Sequence, residues 1–456
     1  MKITVLNGSP KGMTSVTMQY VHYIQKKFPQ HELKIINIAQ RIKKIERDER
    51  AFQDILAEVR ASDGVLWACP VYYFLVPANY KRFIELVSER GATEVFQDKY
   101  TAVLTTSIHF FDHTAHNYLH AICDDLDMKY VGSFSADMTD LLKVTEREHL
   151  RLFAGDFFEA IGNHAPTSKS YRPVTGRDFD YIPGDARSKV DVGGKKIVLV
   201  TDVQEHQANL IGMIERFKVS FSGEIETINL RTLDIKGSCL GCLQCSYDNQ
   251  CVYKDEYVAF YNTKLKTADI LIFAGTIQDR YLSSRWKMFF DRSFFNGHAP
   301  SLIGKQLGFI ISGPLSQIPN LRQILEAHAE MQRANLAGIV TDEYGDAAEI
   351  DNLLQNLAGR LVRFAASGYI RTPTFLGIGG AKLFRDEVWG RLRFPFRADY
   401  LAYKKLGVFD FPQKQYKMRI QSVIMSLLSK SPAFRKEVNK RMTEEMIKPL
   451  QKVLVC

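Results

Sequence analysis

Two series of short apolar runs, each run followed by a stretch with helical spacing, constrain this chain more than any other feature. Ile3–Leu6, Leu33–Ile38, Gly64–Ala68, Thr101–Thr105 and Tyr130–Phe134 are rich in Val, Ile, Leu or aromatic residues. Between them, apolar residues recur at helical intervals, as in Tyr80, Phe83, Ile84 and Val87. Strands that alternate with helices form a parallel sheet covered on both faces. From Asn163 to Gly194 the alternation stops, and Pro166, Pro173, Pro183, Gly176, Gly184, Gly193 and Gly194 read as a linker. It restarts with Ile197–Val200, Ile225–Leu230, Ile270–Ala274, Leu307–Ile311 and Gly338–Val340.

The halves repeat at an offset of roughly 195 residues, far longer than a solenoid period. Residues 61–87 and 267–291 share a small residue and Asp before the strand, a loop after it, and then an aromatic-rich helix, Lys81-Arg82-Phe83-Ile84 in one and Lys287-Met288-Phe289-Phe290 in the other. The expected architecture is α/β: two tandem doubly wound parallel-sheet domains, 1–165 and 195–375, joined by a linker at 166–194. A basic helical extension, 376–456, follows.

The formal net charge of +9 is unevenly placed, because residues 381–456 hold 17 Lys/Arg against 7 Asp/Glu. The rest of the chain is close to neutral. Such a tail suits nucleic acid, anionic lipid or an acidic redox partner, or is simply a solvated helical face. Peripheral membrane or acidic-protein docking is the expectation kept; a nucleic-acid partner is not expected. No run approaches the roughly 20 apolar residues that span a bilayer, and Met1-Lys2 leads straight into Ile3-Thr4-Val5 without a signal pattern. A cytoplasmic protein is expected.

The loop after the first strand, Asn7-Gly8-Ser9-Pro10-Lys11-Gly12-Met13-Thr14-Ser15-Val16-Thr17, combines a tight turn with hydroxyls and a helix N-terminus, the donors a monophosphate needs. It is neither a Walker loop nor a dinucleotide fingerprint, and a plain capped turn reads the same way. In a doubly wound sheet, ligands sit at the carboxyl ends of the strands. Pro70-Val71-Tyr72-Tyr73-Phe74 after the third strand and Thr106-Ser107 through His113 after the fourth lie at that same edge. Aromatic residues there suit a flat ring, although core packing explains any single one.

Asn-Gly-Ser-Pro-Lys after a first strand, Pro-Val-Tyr-Tyr after a third and Lys81-Arg82-Phe83 in the next helix together resemble the NADPH-dependent FMN reductases, which are flavodoxin-like. The resemblance covers most of residues 1–160. It implies FMN phosphate at Ser9, Thr14, Ser15 and Thr17, with Lys11 beside it where family members often carry Arg. It also implies the flavin ring near Pro70, Val71, Tyr72, Tyr73 and Phe74, with Ser107 close by. His109 and His113 are the candidates for setting flavin protonation; no other acid or base stands out.

In the second half, Cys239, Cys242, Cys245 and Cys251 fall within 13 residues at the spacing C-x2-C-x2-C-x5-C. Four thiolates this close can surround one cubane, with Gly237 and Gly241 freeing the backbone. A zinc site and unligated redox thiols are the alternatives. The context resembles the iron–sulfur flavoproteins of the same family, which implies a [4Fe–4S] cluster. Elsewhere this half departs from the family: its first loop, Thr201-Asp202-Val203-Gln204-Glu205, lacks Gly-Ser-Pro and carries acids that repel phosphate, so it is not expected to bind FMN.

The resulting expectation is an oxidoreductase with FMN in the first half and a cluster in the second. Electrons would come from NAD(P)H, or from reduced ferredoxin, and pass to an acceptor that the residues do not identify. A homo-oligomer is expected. An electron carrier with the same cofactors, and a simple FMN or quinone reductase with structural zinc, are the alternatives. Pairing the cofactors requires the cysteine loop to reach the Pro70–Phe74 loop.

Overall fold

Five parallel strands, β1 (Lys2–Asn7), β2 (Glu32–Asn37), β3 (Gly64–Pro70), β4 (Tyr100–Ser107) and β5 (Lys129–Asp137), form the first sheet in the order β2-β1-β3-β4-β5. The structure is a computed structural model. It describes every residue except Arg177, Arg187, 411–414 and 455–456, together with the side chains of Thr443, Pro449 and Lys452. A second sheet repeats the order. Its strands are β6 (Ile197–Thr201), β7 (Glu226–Asn229), β8 (Ile270–Gln278), β10 (Gln306–Ser312) and β11 (Asn335–Thr341), arranged β7-β6-β8-β10-β11. The short β9 (Tyr281–Leu282) folds back antiparallel on β8. This is the flavodoxin-like strand order. The central strands read as unbroken apolar runs because helices cover both faces: β3 and β4 are buried along almost their whole length.

The chain divides into two compact units, Met1–Ala402 and Tyr403–Cys456. Both sheets lie in the larger one. So does residue 375–402 of the basic extension, which begins with the helix Phe375–Trp389. The segment between the sheets has little regular structure, yet it is tied to both. The N–H groups of Ser170 and Tyr171 donate to Asp124 Oδ2 at 2.8 Å, and buried Tyr181 takes part in the core of the second sheet.

The two sheets meet through one helix from each, Ala78–Glu89 and Ser284–Arg292. The contact is reciprocal. Ala78 N donates to Asp291 Oδ2 at 2.8 Å, and Ser284 N donates to Glu85 Oε1 at 2.5 Å. Each carboxylate thus meets the positive end of the opposite helix. Lys81 Nζ donates to Gln278 O at 3.0 Å, and Lys287 Nζ donates to Tyr72 O at 2.8 Å. Each lysine also pairs with the acid one turn along its own helix. The two halves therefore face each other across an approximate two-fold axis, and each lysine holds a carbonyl at or just after the end of the other half's third strand.

Candidate functional site

A cavity of about 400 Å³ opens at the carboxyl edge of the first sheet, within the size range of small-molecule sites. Its floor is the loop after β1. Gly8 lies there because nothing larger fits: a Cβ would stand 2.5 Å from the Tyr80 ring and 2.7 Å from Cys69 Cβ. Tyr80 is fixed in turn by donating from its hydroxyl to Leu6 O at 2.7 Å. Ser9 N donates to Asn7 Oδ1 at 3.0 Å, and Lys11 N donates to Ser9 Oγ at 3.3 Å, curling the loop. Ser15 caps the helix Val16–Lys27 by accepting from Met18 N, which leaves the first N–H groups of that helix at the cavity edge.

Of the residues singled out in the sequence, Ser9, Lys11, Ser15, Thr17, Pro70, Val71, Tyr72, Tyr73, Phe74 and Ser107 line this cavity. Thr14 does not. It is exposed, and its hydroxyl donates back to Lys11 O at 3.0 Å, steadying the turn. His109 and His113 also lie off the lining. His109 pairs through Nδ1 with Asp112 Oδ2 at 2.9 Å, which raises its pKa. His113 N donates to Asp112 Oδ1. Both imidazoles belong to the turn that starts the helix Asp112–Asp125.

The Tyr72–Leu75 turn is closed by two backbone hydrogen bonds, 2.7 and 3.0 Å. Tyr73 and Phe74 both sit in the left-handed region, at φ 42° and 68°. Bulky residues seldom adopt this conformation, and it costs of order 1–3 kcal/mol each unless the surroundings enforce it. Here they do. Lys287 holds the Tyr72 carbonyl, and the Tyr73 hydroxyl meets His328 Nδ1 at 2.9 Å. Burial pushes the Tyr73 phenol up to about 12.

The far wall comes from side chains of the second half and of the segment after it that were not singled out in the sequence. Phe294, His298, Met331, Phe384 and Phe396 make it largely apolar. His298 Nδ1 lies 2.6 Å from Asp399 Oδ2, and His298 N donates to Asp399 Oδ1 at 2.9 Å. Arg391 ties the same segment to Asp137 at the end of β5. The aromatic-rich run after Leu383 was the available signal for this wall.

The cysteine loop reaches the cavity as well. Cys239, Gly241 and Leu243 are on its lining, and the Tyr72 hydroxyl stands where a Cβ on Gly241 would be, so that a side chain there would collide with it. Gly241, Leu243 and Asn249 take left-handed conformations at φ 64°, 60° and 61°, winding the loop tightly. Arg292 anchors its base through a two-pronged bond to Asp255 at 2.8 and 2.9 Å and a bond to Gly237 O at 2.9 Å. Gly241 N donates to Cys239 Sγ at 3.5 Å. Burial pushes the Cys239 and Cys245 thiols up to about 12. Cys242 is exposed, and all four are free thiols. Among the described residues, no three of His, Cys, Asp or Glu are gathered closely enough to hold a metal ion. The four sulfurs are thus not closed around a common centre.

The symmetry-related edge of the second sheet forms a larger cavity, about 890 Å³, with a charged lining that includes Asp202, Arg231, Arg285, Lys43 and Arg82. Strand pairing matches Asn7 and Ala68 with Thr201 and Ala274. Asp202 therefore occupies the place of Gly8, Gly275 that of Cys69 and Trp286 that of Tyr80. The glycine has changed strands to admit the indole, whose Nε1 would be 2.5 Å from a Cβ on Gly275. Asp202 is buried, accepts from Ser283 Oγ and has its pKa raised by that burial.

Strand order and the cleft at the strand ends define a flavodoxin-like α/β protein. Residues 1–139 match the family model of the NADPH-dependent FMN reductases. No curated protein matches the chain. Among solved structures, an FMN-dependent NADH-azoreductase from Bacillus anthracis in complex with FMN is 14% identical, covering 36% of this chain and 99% of its own, at TM-score 0.27. An apo NADH:FMN oxidoreductase is 15% identical, with coverage of 35% and 89% and TM-score 0.31. General stress protein 14 from Treponema denticola, in complex with FMN, is 12% identical, with coverage of 36% and 98% and TM-score 0.27.

Proposed function

We propose that the chain is an NAD(P)H-dependent FMN oxidoreductase that binds one FMN in the first cleft and relays electrons through a [4Fe–4S] cluster on the cysteine loop. The observation that carries this reading is a single cavity lined both by the Ser9–Thr17 and Pro70–Phe74 loops and by Cys239. The family match at residues 1–139 supports FMN and the nicotinamide donor. The residues suit the flavin: a turn that excludes any side chain at Gly8, three buried hydroxyls at Ser9, Ser15 and Thr17, a helix N-terminus for the phosphate, and an apolar chamber for the ring. When bound there, FMN would supply the hydride-accepting and one-electron chemistry. The protein's part is to hold Tyr72–Leu75 rigid against the ring position and to keep water out with Phe294, Phe384 and Phe396. Four cysteines on a tightly wound loop, with a backbone N–H already directed at Cys239 Sγ, support the cluster, which would require the cysteine sulfurs to draw together on binding iron.

Anaerobically purified protein tests both parts. Iron and sulfide at four each per chain, and flavin absorbance that bleaches on adding NADPH or NADH, are expected. Zinc in place of iron returns the cysteines to a structural role. Bleaching with reduced ferredoxin but with neither nicotinamide makes the chain an electron carrier.

A further inference from the structure

The smaller unit, Tyr403–Cys456, carries surface features that the redox reading does not use. Its helix Tyr416–Leu428 buries none of its side chains. Tyr416, Ile420, Val423, Ile424, Leu427 and Leu428 recur at i, i+4, i+7, i+8, i+11 and i+12, which gathers them into one stripe. Each keeps about half or more of its surface in solvent, from 48% for Leu428 to 62% for Ile420. The following helix, Pro432–Val453, spaces Phe434, Val438, Met442, Met446 and Leu450 four residues apart. This gives a second stripe, half-buried at Phe434 and Val438 and open at its C-terminal end, where Met446 and Leu450 are 68% and 64% exposed. Arg435, Lys436, Lys440, Arg441 and Lys448 outnumber Glu437, Glu444 and Glu445 on the rest of that helix, where Arg441 pairs with Glu437 and Lys448 with Glu445. Across Tyr403–Cys456 there are 12 Lys/Arg against 4 Asp/Glu. Exposed apolar stripes of this extent are uncommon on soluble surfaces, and none of the described helices is long and apolar enough to cross a membrane.

We propose that this unit is a peripheral anchor which lays both helices on an anionic lipid surface, apolar stripes in the acyl boundary and basic residues among the headgroups. Charge decides among the occupants. A second copy would bring two strongly basic units together, so burying the stripes by self-association works against repulsion. An anionic bilayer neutralises the charge and covers both stripes at once. The inference is independent of the flavin and cluster reading.

Flotation of the full chain with vesicles tests it. With phosphatidylcholine vesicles containing phosphatidylglycerol, the floated fraction is expected to exceed that with phosphatidylcholine alone by at least ~tenfold and to fall in high salt. The variant Ile420→Glu/Ile424→Glu/Leu427→Glu is expected to stay in solution with unchanged FMN content and thermal unfolding. Wild-type protein that ignores anionic vesicles overturns the proposal, as does a triple variant that floats like the wild type. Sedimentation velocity adds a third arm. A dimer of the wild type that the triple variant abolishes, without vesicle binding, assigns the stripes to self-association and equally overturns the proposal.

Discussion

The two halves of the larger unit share strand order, a lysine–acid pair and a reciprocal helix contact, yet their clefts are chemically unlike. At the strand ends the first half places Gly8, Cys69 and Tyr80, and the second places Asp202, Gly275 and Trp286. One arrangement leaves bare backbone at this point. The other sets a buried carboxylate at the same point. The loop after each second strand has also diverged. In the first half it is the basic helix Ile42–Arg47, which borders the second cleft; in the second half it is the cysteine loop, which borders the first. Duplication preserved the scaffold, and substitutions at a few strand-end positions separated the chemistry of the two sites.

The helix-capping acids differ too. Burial disfavours the charge on Glu85, but Lys81, Ser284 and Arg82 outweigh it and lower the pKa. Asp291, fully buried with Lys287 and Ala78 N as partners, is raised to about 6 by that burial. The largest expected effect follows from this asymmetry. Lys287→Met leaves Asp291 buried beside no cation and should cost about 3–5 kcal/mol, read by denaturant unfolding. Lys81→Met should cost clearly less, because Arg82 still pairs with Glu85 at 3.0 Å. Equal losses would show that the pairs are equivalent after all.

Importing the second half's residue into the first, Gly8→Asp, should overpack the site against Tyr80 by about 1–3 kcal/mol and abolish FMN binding. The converse, Asp202→Gly, should leave FMN content unchanged, since it removes a charge without building a phosphate loop. Flavin fluorescence after gel filtration reads both.

Stability against pH sharpens the comparison further. Glu85 has a lowered pKa, so its contribution is complete above the ordinary value of 4.5 and is lost as pH falls through the folded-state pKa. Thermal unfolding of the wild type should decline on that acid side, and Glu85→Gln should flatten the decline. The smallest effect expected is that of Tyr73→Phe, which removes the bond to His328 and should cost about 0.5–1.5 kcal/mol.

Strand placement was legible in the sequence because parallel strands buried on both faces leave short apolar runs, and all ten runs coincide with strands. The near wall of the first cleft was legible for a related reason: Ser9, Ser15 and Thr17 lie in the connection from β1 into the first helix, and Pro70–Phe74 at the end of β3. The far wall was not. His298, Phe384 and Phe396 reach the cavity from the second half and the segment after it, and periodicity reports which face is buried without reporting what buries it. Thr14 was misleading for a local reason, since a hydroxyl one residue before a helix cap serves the turn as readily as a ligand. The tail, expected as one extension from 376, divides near Ala402, a boundary that uniform helical composition conceals.

The division between the halves is tested most directly by counting flavin. FMN released from freshly purified wild-type chain, measured against protein by amino-acid analysis, should approach one per chain, and Gly8→Asp should abolish it. Two FMN per chain, or one that survives Gly8→Asp, would contradict the assignment of the flavin to the first cleft alone.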